Sequence, residues 1–369
     1  MLDEYLDEVK DFLKSQQREA EVVVMPDFFI DRFVSIDISP DQLFNIVMNV
    51  VERKGGSIDG ISQKEFRGGN AINTAAALTS LGVKVTPIVC TDKLGLQLIK
   101  FYAKSPKINL THIKIVEKPS ITTALEFKID DGKANVMLRD VGSLADFGPQ
   151  NLNHEDFKAM ERADCTCVFN WAGTRKYGTE LAKTVFRHVK TRGKGKTYFD
   201  PADPTPNKEA AKKMLESVMQ TDLVDVLSLN ENETVFFASL LKSKAEKPIK
   251  GLSLEELAKD SAKLLASHLK ARIDLHTTDY SATFTGKKET IVPAFHVPVL
   301  RATGAGDAWN AGNIIGTVYG LNDDVRLTLA NAVAAYYISN PEGKHPTQKE
   351  LFRLCDRLKG MWKTKTDKN

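Results

Sequence analysis

Residues 303–312 read Thr-Gly-Ala-Gly-Asp-Ala-Trp-Asn-Ala-Gly and lead into a helical pattern over 308–319. Small residues at 304–306 let the backbone approach an anion closely, and the first N–H groups of a helix point outward with the positive end of its dipole. Gly304, Ala305 and Gly306 therefore read as a phosphate cradle. Asp307 is the anomaly, because a carboxylate repels phosphate unless it has a chemical task. Taking a proton from an attacking hydroxyl is such a task, and the cradle beside it would stabilise charge on a transferring phosphoryl group. The plainer reading is a glycine-rich turn with Asp307 as a cap residue.

A second small-residue motif lies far upstream, at 67–82: Arg-Gly-Gly-Asn-Ala-Ile-Asn-Thr-Ala-Ala-Ala-Leu-Thr-Ser-Leu-Gly. Gly68-Gly69 ends a strand, and Ala71, Ala75, Ala76 and Ala77 make a helix that can pack closely on a sheet. Asn70 and Asn73 sit at its start, where amides can donate to and accept from sugar hydroxyls at once. They also suit a plain N-cap. Asp31 follows the apolar run Val22-Val23-Val24-Met25 by a few residues, and a carboxylate at a strand's end can accept two hydroxyl hydrogen bonds or simply be solvated.

Between and around these motifs, short β-branched runs alternate with helix-length segments. Strands are predicted at 22–25, 83–90, 165–169, 196–199, 223–229 and 272–277, and helices at 70–81, 94–104, 176–192, 207–219 and 253–271. That rhythm predicts an α/β fold with a parallel, helix-covered sheet. Two stretches break it. Residues 121–139 read as two alternating strands joined at Asp130-Asp131-Gly132-Lys133. Residues 32–67 contain a helix start at Ser39-Pro40-Asp41, a stop at Gly55-Gly56 and a strand at 58–66. Together they predict a small lid built from two pieces of chain. Leu2, Tyr5, Leu6, Val9, Phe12 and Leu13 fall at helical spacing, so an extra helix within 1–20 opens the chain. One α/β domain is expected over 21–361, followed by a disordered tail over 362–369.

Composition excludes other classes. The 51 basic and 48 acidic residues of this 369-residue chain leave a net charge of +3, which argues against a dedicated polyanion binder. With 42% hydrophobic residues there is enough apolar side chain to bury a core. No apolar run reaches the ~18 residues of a membrane span, and Met1-Leu2-Asp3-Glu4 lacks the basic start of a signal peptide, so a cytoplasmic protein is expected. Cys90, Cys165, Cys167 and Cys355 then read as reduced thiols. Cys165-x-Cys167 has no His or second Cys pair near it at ligand spacing, which argues against a metal site.

The two motifs, in this order and spacing, resemble the ribokinase or PfkB family of carbohydrate and nucleoside kinases. Further landmarks extend the resemblance over roughly 21–340. Asp31 falls at the family's substrate-binding Asp, Gly68-Gly69-Asn70 and Asn73 match its sugar-binding signature, Thr91-Asp92-Lys93-Leu94-Gly95 is similar to its D-x-x-G turn, and Asn230-Glu231-Asn232-Glu233 matches its N-x-x-E element. The resemblance implies a ribokinase-like fold with a small β-sheet lid. It implies that Asp307 activates the acceptor hydroxyl, that the 304–306 backbone forms the anion hole, and that Asn230, Glu233 and Thr303 meet nucleotide and phosphate. Mg²⁺ would be held by Glu233 through water, since this ion dehydrates reluctantly. ATP or ADP would be the donor, a sugar or nucleoside the acceptor, and the lid a surface for a homodimer. On residues alone, Asn230 and Glu233 also read as a helix cap followed by a surface Glu.

Some positions depart from the family. Pro26 stands where a Gly is usual, and Arg301-Ala302 replaces an acidic residue and a Thr, so that Arg301 would contact phosphate or form a salt bridge. Glycines usual in the nucleotide loop are replaced in His276-Thr277-Thr278-Asp279-Tyr280-Ser281, and this H-T-x-x-Y run resembles archaeal ADP-dependent sugar kinases. Three acceptors fit: a sugar, a sugar phosphate met by Arg67 or Arg139, and a nucleoside with Phe28, Phe29 and Phe33 as its wall. A non-catalytic sugar or nucleotide sensor is the reading from another class.

Overall fold

Alternating side chains of one strand, Glu21–Met25, divide the core in two. Val23 and Met25 belong to one apolar cluster with Leu181, Val185, Phe186 and Leu227. Val22 and Val24 belong to another with Ala71, Ala75, Leu78, Ala311 and Ile314. A strand buried on both faces in this way needs apolar residues throughout, which is why it reads as a continuous run. The computed structural model describes residues 2–15, 18–129, 132–241 and 252–363. Its main sheet has eight strands in the order Lys288–Pro293, Tyr280–Thr285, Arg272–His276, Val226–Asn230, Lys196–Asp200, Cys165–Phe169, Glu21–Met25 and Lys84–Pro87. The last six are parallel to one another, and the first two add an antiparallel edge.

Helices cover both faces. Asn70–Ser80 packs against Ala305–Val318, and the latter against Asp323–Ser339. Close approach of that second pair depends on Gly312, where a Cβ would lie 2.6 Å from the Ala330 Cα. The opening helix, Leu2–Lys14, buries Leu6 and Val9 and packs on Asp323–Ser339 and Gln348–Leu358. Among the described residues no helix is long and apolar enough to cross a membrane. All four cysteines are buried and free.

A separate sheet of four strands runs in the order Ser62–Gly68, Phe29–Ile36, Ser120–Ile129 and Gly132–Asp140. Its helix, Pro40–Glu52, starts with a reciprocal capping box between Ser39 and Gln42. The strand Phe29–Ile36 begins earlier than expected and carries Asp31 inside this small sheet, opposite Phe66 and Thr122, not in a loop after the first strand. Its apolar residues come in pairs, Phe29-Ile30 and Phe33-Val34, which hides the period of two. Asp130 and Asp131 of the expected turn lie outside the described residues.

The tail also differs from expectation at Trp362. Its ring packs on Phe295 with centroids 4.1 Å apart, and its indole N–H donates to Asp3 at 2.7 Å. Residues 364–369 lie outside the described residues.

Candidate active site

Parallel strands leave their C-terminal ends as a row of open backbone, and polar residues that bind ligands collect there. Asp200, Asn230 and His276 end three such strands, and Asp27 and Asn170 follow two others. Asp27 is fully buried and caps the helix Asn70–Ser80. It accepts from the Asn70 and Ala71 N–H groups and from the Asn170 amide, each at 2.9 Å. Gly69 at the N-cap has φ +92°, and a Cβ there would lie 2.8 Å from the Phe28 Cα. Only glycine suits that approach.

The two motifs of the sequence meet through Asp307. Asn70 Nδ2 donates to one carboxylate oxygen at 2.8 Å, and Asn73 Nδ2 to the other at 2.9 Å. Three residues apart, the two amides share one helix face. The amides expected to hold sugar hydroxyls are therefore engaged with the carboxylate. Burial pushes the Asp307 carboxyl up to about 8, with the charges of Asp200 and Asp27 adding and the two amides opposing. Gly304 takes the left-handed conformation at φ +88°, and a Cβ would lie 2.5 Å from the Tyr337 hydroxyl. That hydroxyl donates to the Thr303 carbonyl at 3.1 Å, while Thr303 itself is exposed. The helix begins at Ala305, earlier than its pattern indicates, so the cradle is its first turn. There the N–H groups of Gly306 and Asp307 lack the carbonyl four residues back.

Asp31 lies beside Gly68, where any Cβ would overlap its carboxylate. Burial pushes Asp31 up to about 6, with Thr122 and Arg139 opposing and Asp27 adding. A cavity of about 1150 Å³ runs from Asp31 and Asn73 to Thr303, Arg301 and His345. Arg301 makes no salt bridge among the described residues, contrary to one of its expected fates. Its guanidinium lies over the rings of Phe66 and Tyr337, at 5.8 and 5.7 Å from their centroids.

On the other side of Asp200, Asn230 and Glu233 form a reciprocal cap. Asn230 donates from its N–H at 2.9 Å and its amide at 2.8 Å, and its side-chain oxygen accepts from the Glu233 N–H at 2.9 Å. The cap reading holds, but the surface reading does not, since Glu233 is only 5% exposed. Burial raises its carboxyl well above the usual range, and Asp200 adds to the rise. Asp200, like Asp27, is a residue that sequence reasoning missed. It accepts from Asn310 Nδ2 at 2.6 Å and from the Ala202 N–H at 3.0 Å, and burial pushes it up to about 6. The signal was available in Phe199-Asp200-Pro201, an acid closing a buried strand. Among the described residues no three His, Cys, Asp or Glu side chains converge as a direct cation cage.

The loop after Arg272–His276 needs no glycine because Thr277 makes the turn. Its hydroxyl donates to the Tyr280 carbonyl at 2.8 Å and accepts the Tyr280 N–H at 3.0 Å. The ring of His276 lies 4.8 Å from that of Trp309, and burial pulls its imidazole down to about 4, so it is neutral.

Known proteins resemble this chain in sequence and in fold. The sequence pattern of the family described as "pfkB family carbohydrate kinase" matches residues 33–350. A 5-dehydro-2-deoxygluconokinase of Geobacillus thermodenitrificans (strain NG80-2) is 25% identical over 322 residues, covering 80% of this chain and 86% of that one. The structure of Arabidopsis thaliana ribokinase complexed with ribose and ATP superposes with a TM-score of 0.67 at 19% identity, over 92% of this chain and 99% of that one. Adenosine kinase from Sinorhizobium meliloti gives 0.68 at 16% identity, again over 92% and 99%.

Proposed function

This chain belongs to the pfkB family of carbohydrate kinases, and we propose that it moves the terminal phosphoryl group of a nucleotide to a hydroxyl of a sugar or sugar derivative, with Asp307 as general base. The observation that carries this reading is the buried Asp307 carboxylate at a helix N-terminus, steered by two amides and flanked by the glycine cradle. A protein that only sensed ligands would gain nothing from holding a carboxylate in so unfavourable a place.

In this mechanism the acceptor enters the cavity and its hydroxyls bond to Asp31, which at about 6 is ionised at neutral pH. Asn70 and Asn73 keep the Asp307 carboxylate oriented toward the reacting hydroxyl. A carboxylate with an apparent pKa of about 8 is a much stronger base, once ionised, than an ordinary Asp. The cradle's backbone N–H groups then meet charge developing on the phosphoryl oxygens, those of Gly306 and Asp307 foremost, since the Ala305 N–H donates to the Ala302 carbonyl at 3.1 Å. Burial raises the carboxyls of both Asp200 and Glu233, with Asp27 adding to the first and Asp200 to the second, and that uncompensated negative charge fits a divalent cation held through water. Mg²⁺ bound there would neutralise nucleotide phosphate charge. The small sheet, with Phe33 and Phe66 on the cavity, would act as a lid that excludes water as a competing acceptor.

ATP is the donor best supported, since a similarly folded ribokinase was solved with ATP. ADP stays as the alternative because of the His276-Thr277-Thr278-Asp279-Tyr280 turn. A nucleoside acceptor is less well supported. Phe28 and Phe29 are 0% and 3% exposed and belong to the core, which leaves Phe33 of the three expected wall residues. An acceptor panel of sugars, sugar derivatives, sugar phosphates and nucleosides, run with ATP, ADP and GTP and read by phosphate transfer, tests the assignment. Transfer to a sugar or derivative is expected. Ligand binding with no transfer under any donor would favour the sensor.

The lid helix Pro40–Glu52 supports a homodimer. None of its residues is buried, and Phe44 and Val51 are 63% and 60% exposed. A 13-residue helix gains little from propensity alone and needs an apolar partner face. Sedimentation is expected to show a dimer that Phe44→Asp dissociates, and a monomeric parent protein would end this reading.

A further inference from the structure

We propose that the end of the cavity formed by Arg67, Arg301 and His345 is an anion subsite that selects acceptors carrying a carboxylate or phosphate group. The proposal rests on the phosphoryl-transfer reading and names the acceptor class for it.

Three observations carry it. The guanidinium of Arg67, at the end of the lid strand Ser62–Gly68, lines the cavity with no ion pair and no hydrogen bond among the described residues. The Arg301 guanidinium has neither as well, and it is enclosed by structure: Phe66 and Tyr337 lie on it, and the 340–344 loop wraps it so closely that any Cβ at Gly343 would overlap Nη1. His345 is 92% buried by its 8% exposure, its ring stacks on Tyr337 at 4.8 Å and 15°, and neither ring nitrogen has a partner. A buried polar group without a partner is costly and calls for a ligand.

The balance of charge points the same way. Burial lowers the affinity of Arg67 for its proton, as does the nearby Arg301, while Tyr337, Tyr102 and Asp307 oppose. A guanidinium remains protonated under all such influences, so two like charges face one space. Glutamates that share the cavity are already engaged. Glu65 pairs with Arg32, Glu342 with Lys344, and Glu350 accepts the Thr347 N–H at 2.8 Å. Guanidinium forks match the planar oxygens of a carboxylate and the oxygens of phosphate equally well, and a neutral imidazole adds one N–H donor. The same cavity reaches Asp31 and Asn73, and the Asn73 amide donates to Asp307 at 2.9 Å, so an acceptor anchored here by an anionic group would have its far hydroxyls directed toward the proposed base.

Titration calorimetry with glucose, gluconate and glucose 6-phosphate, and with inorganic phosphate alone, reads the subsite without requiring turnover. At least one anionic probe is expected to bind roughly tenfold or more tightly than glucose, the scale of a charge-assisted hydrogen bond. Arg67→Met should abolish that difference and leave glucose and nucleotide affinities as they were. Gluconate and glucose 6-phosphate would separate a carboxylate site from a phosphate site. Arg301→Met provides a second variant should Arg67→Met melt far below the parent. The subsite is overturned by equal binding of charged and neutral probes, by no binding of any anion, or by a loss that falls on the nucleotide. Anion binding that depends on Arg67, without phosphate transfer from ATP or ADP, would instead sink the phosphotransferase reading and leave the subsite standing.

Discussion

Two buried acid clusters touch the same helix, Ala305–Val318, and they are opposites. At its first turn Asp307 shares its surroundings with Asp27 and Asp200, and each of these carboxyls is raised, chiefly by burial. Two turns along, Asn313 donates at 2.9 Å to Asp274, which also binds Arg272 at 2.8 Å and Arg326 at 3.1 Å. Burial pushes Asp274 up too, yet the two guanidinium groups overcome it and hold the carboxyl below its usual range. Burial is common to both clusters, so it does not mark function. What differs is compensation. The structural acid was given its cations, and the candidate catalytic acids were left to wait for a proton, a hydroxyl or a metal ion.

The largest effect expected from breaking this contrast is on turnover. Asp307→Asn should lower kcat by about two to four orders of magnitude, the usual contribution of a general base, with acceptor binding nearly unchanged. Steady-state phosphate transfer checks this, and undiminished turnover would remove Asp307 from its role. Asp274→Ala should act on stability. It strands Arg272 and Arg326 in the core and should cost about 3–5 kcal/mol in denaturant unfolding, the scale of a broken buried pair. A cost below ~1 kcal/mol would mean that the two clusters are not opposites after all.

A smaller effect should appear in how stability varies with pH. Asp307 has its folded pKa raised to about 8, so folding favours its protonated form. That contribution is complete below about pH 4, where an unfolded Asp titrates, and is lost as pH rises through 8. Asp274 has its folded pKa lowered, so its contribution is present above the unfolded value and is lost only in acid. Asp307→Asn should therefore gain melting temperature relative to the parent protein from pH 5 to 9. Parallel melting curves would contradict the raised carboxyl.

Much of this architecture was legible because parallel strands buried on both faces must be continuously apolar, as Val22-Val23-Val24-Met25 is. Ser39-Pro40-Asp41 announced the lid helix by chemistry that acts over three residues. What stayed hidden depends on contacts between distant positions. No local pattern links Asn73 to Asp307, and polar Asn310 and Asn313 look misplaced in a buried helix until Asp200 and Asp274 are seen beside them. Glu233 passed for a surface residue because a capping box has the same spelling in water and in a protein interior. Of the two partners expected for Arg301, the salt bridge is not made among the described residues, because rings and a glycine loop, distant in sequence, hold its guanidinium instead.

The bond between Asn73 and Asp307 also has a meaning in time. The two residues are 234 positions apart, and at about 5–20 residues per second a ribosome needs roughly 10–50 s to go from one to the other. During that interval Asn70 and Asn73 exist without the carboxylate to which their amides donate. On the proposed mechanism, a nascent chain of this protein thus carries its acceptor-binding groups well before it carries its base.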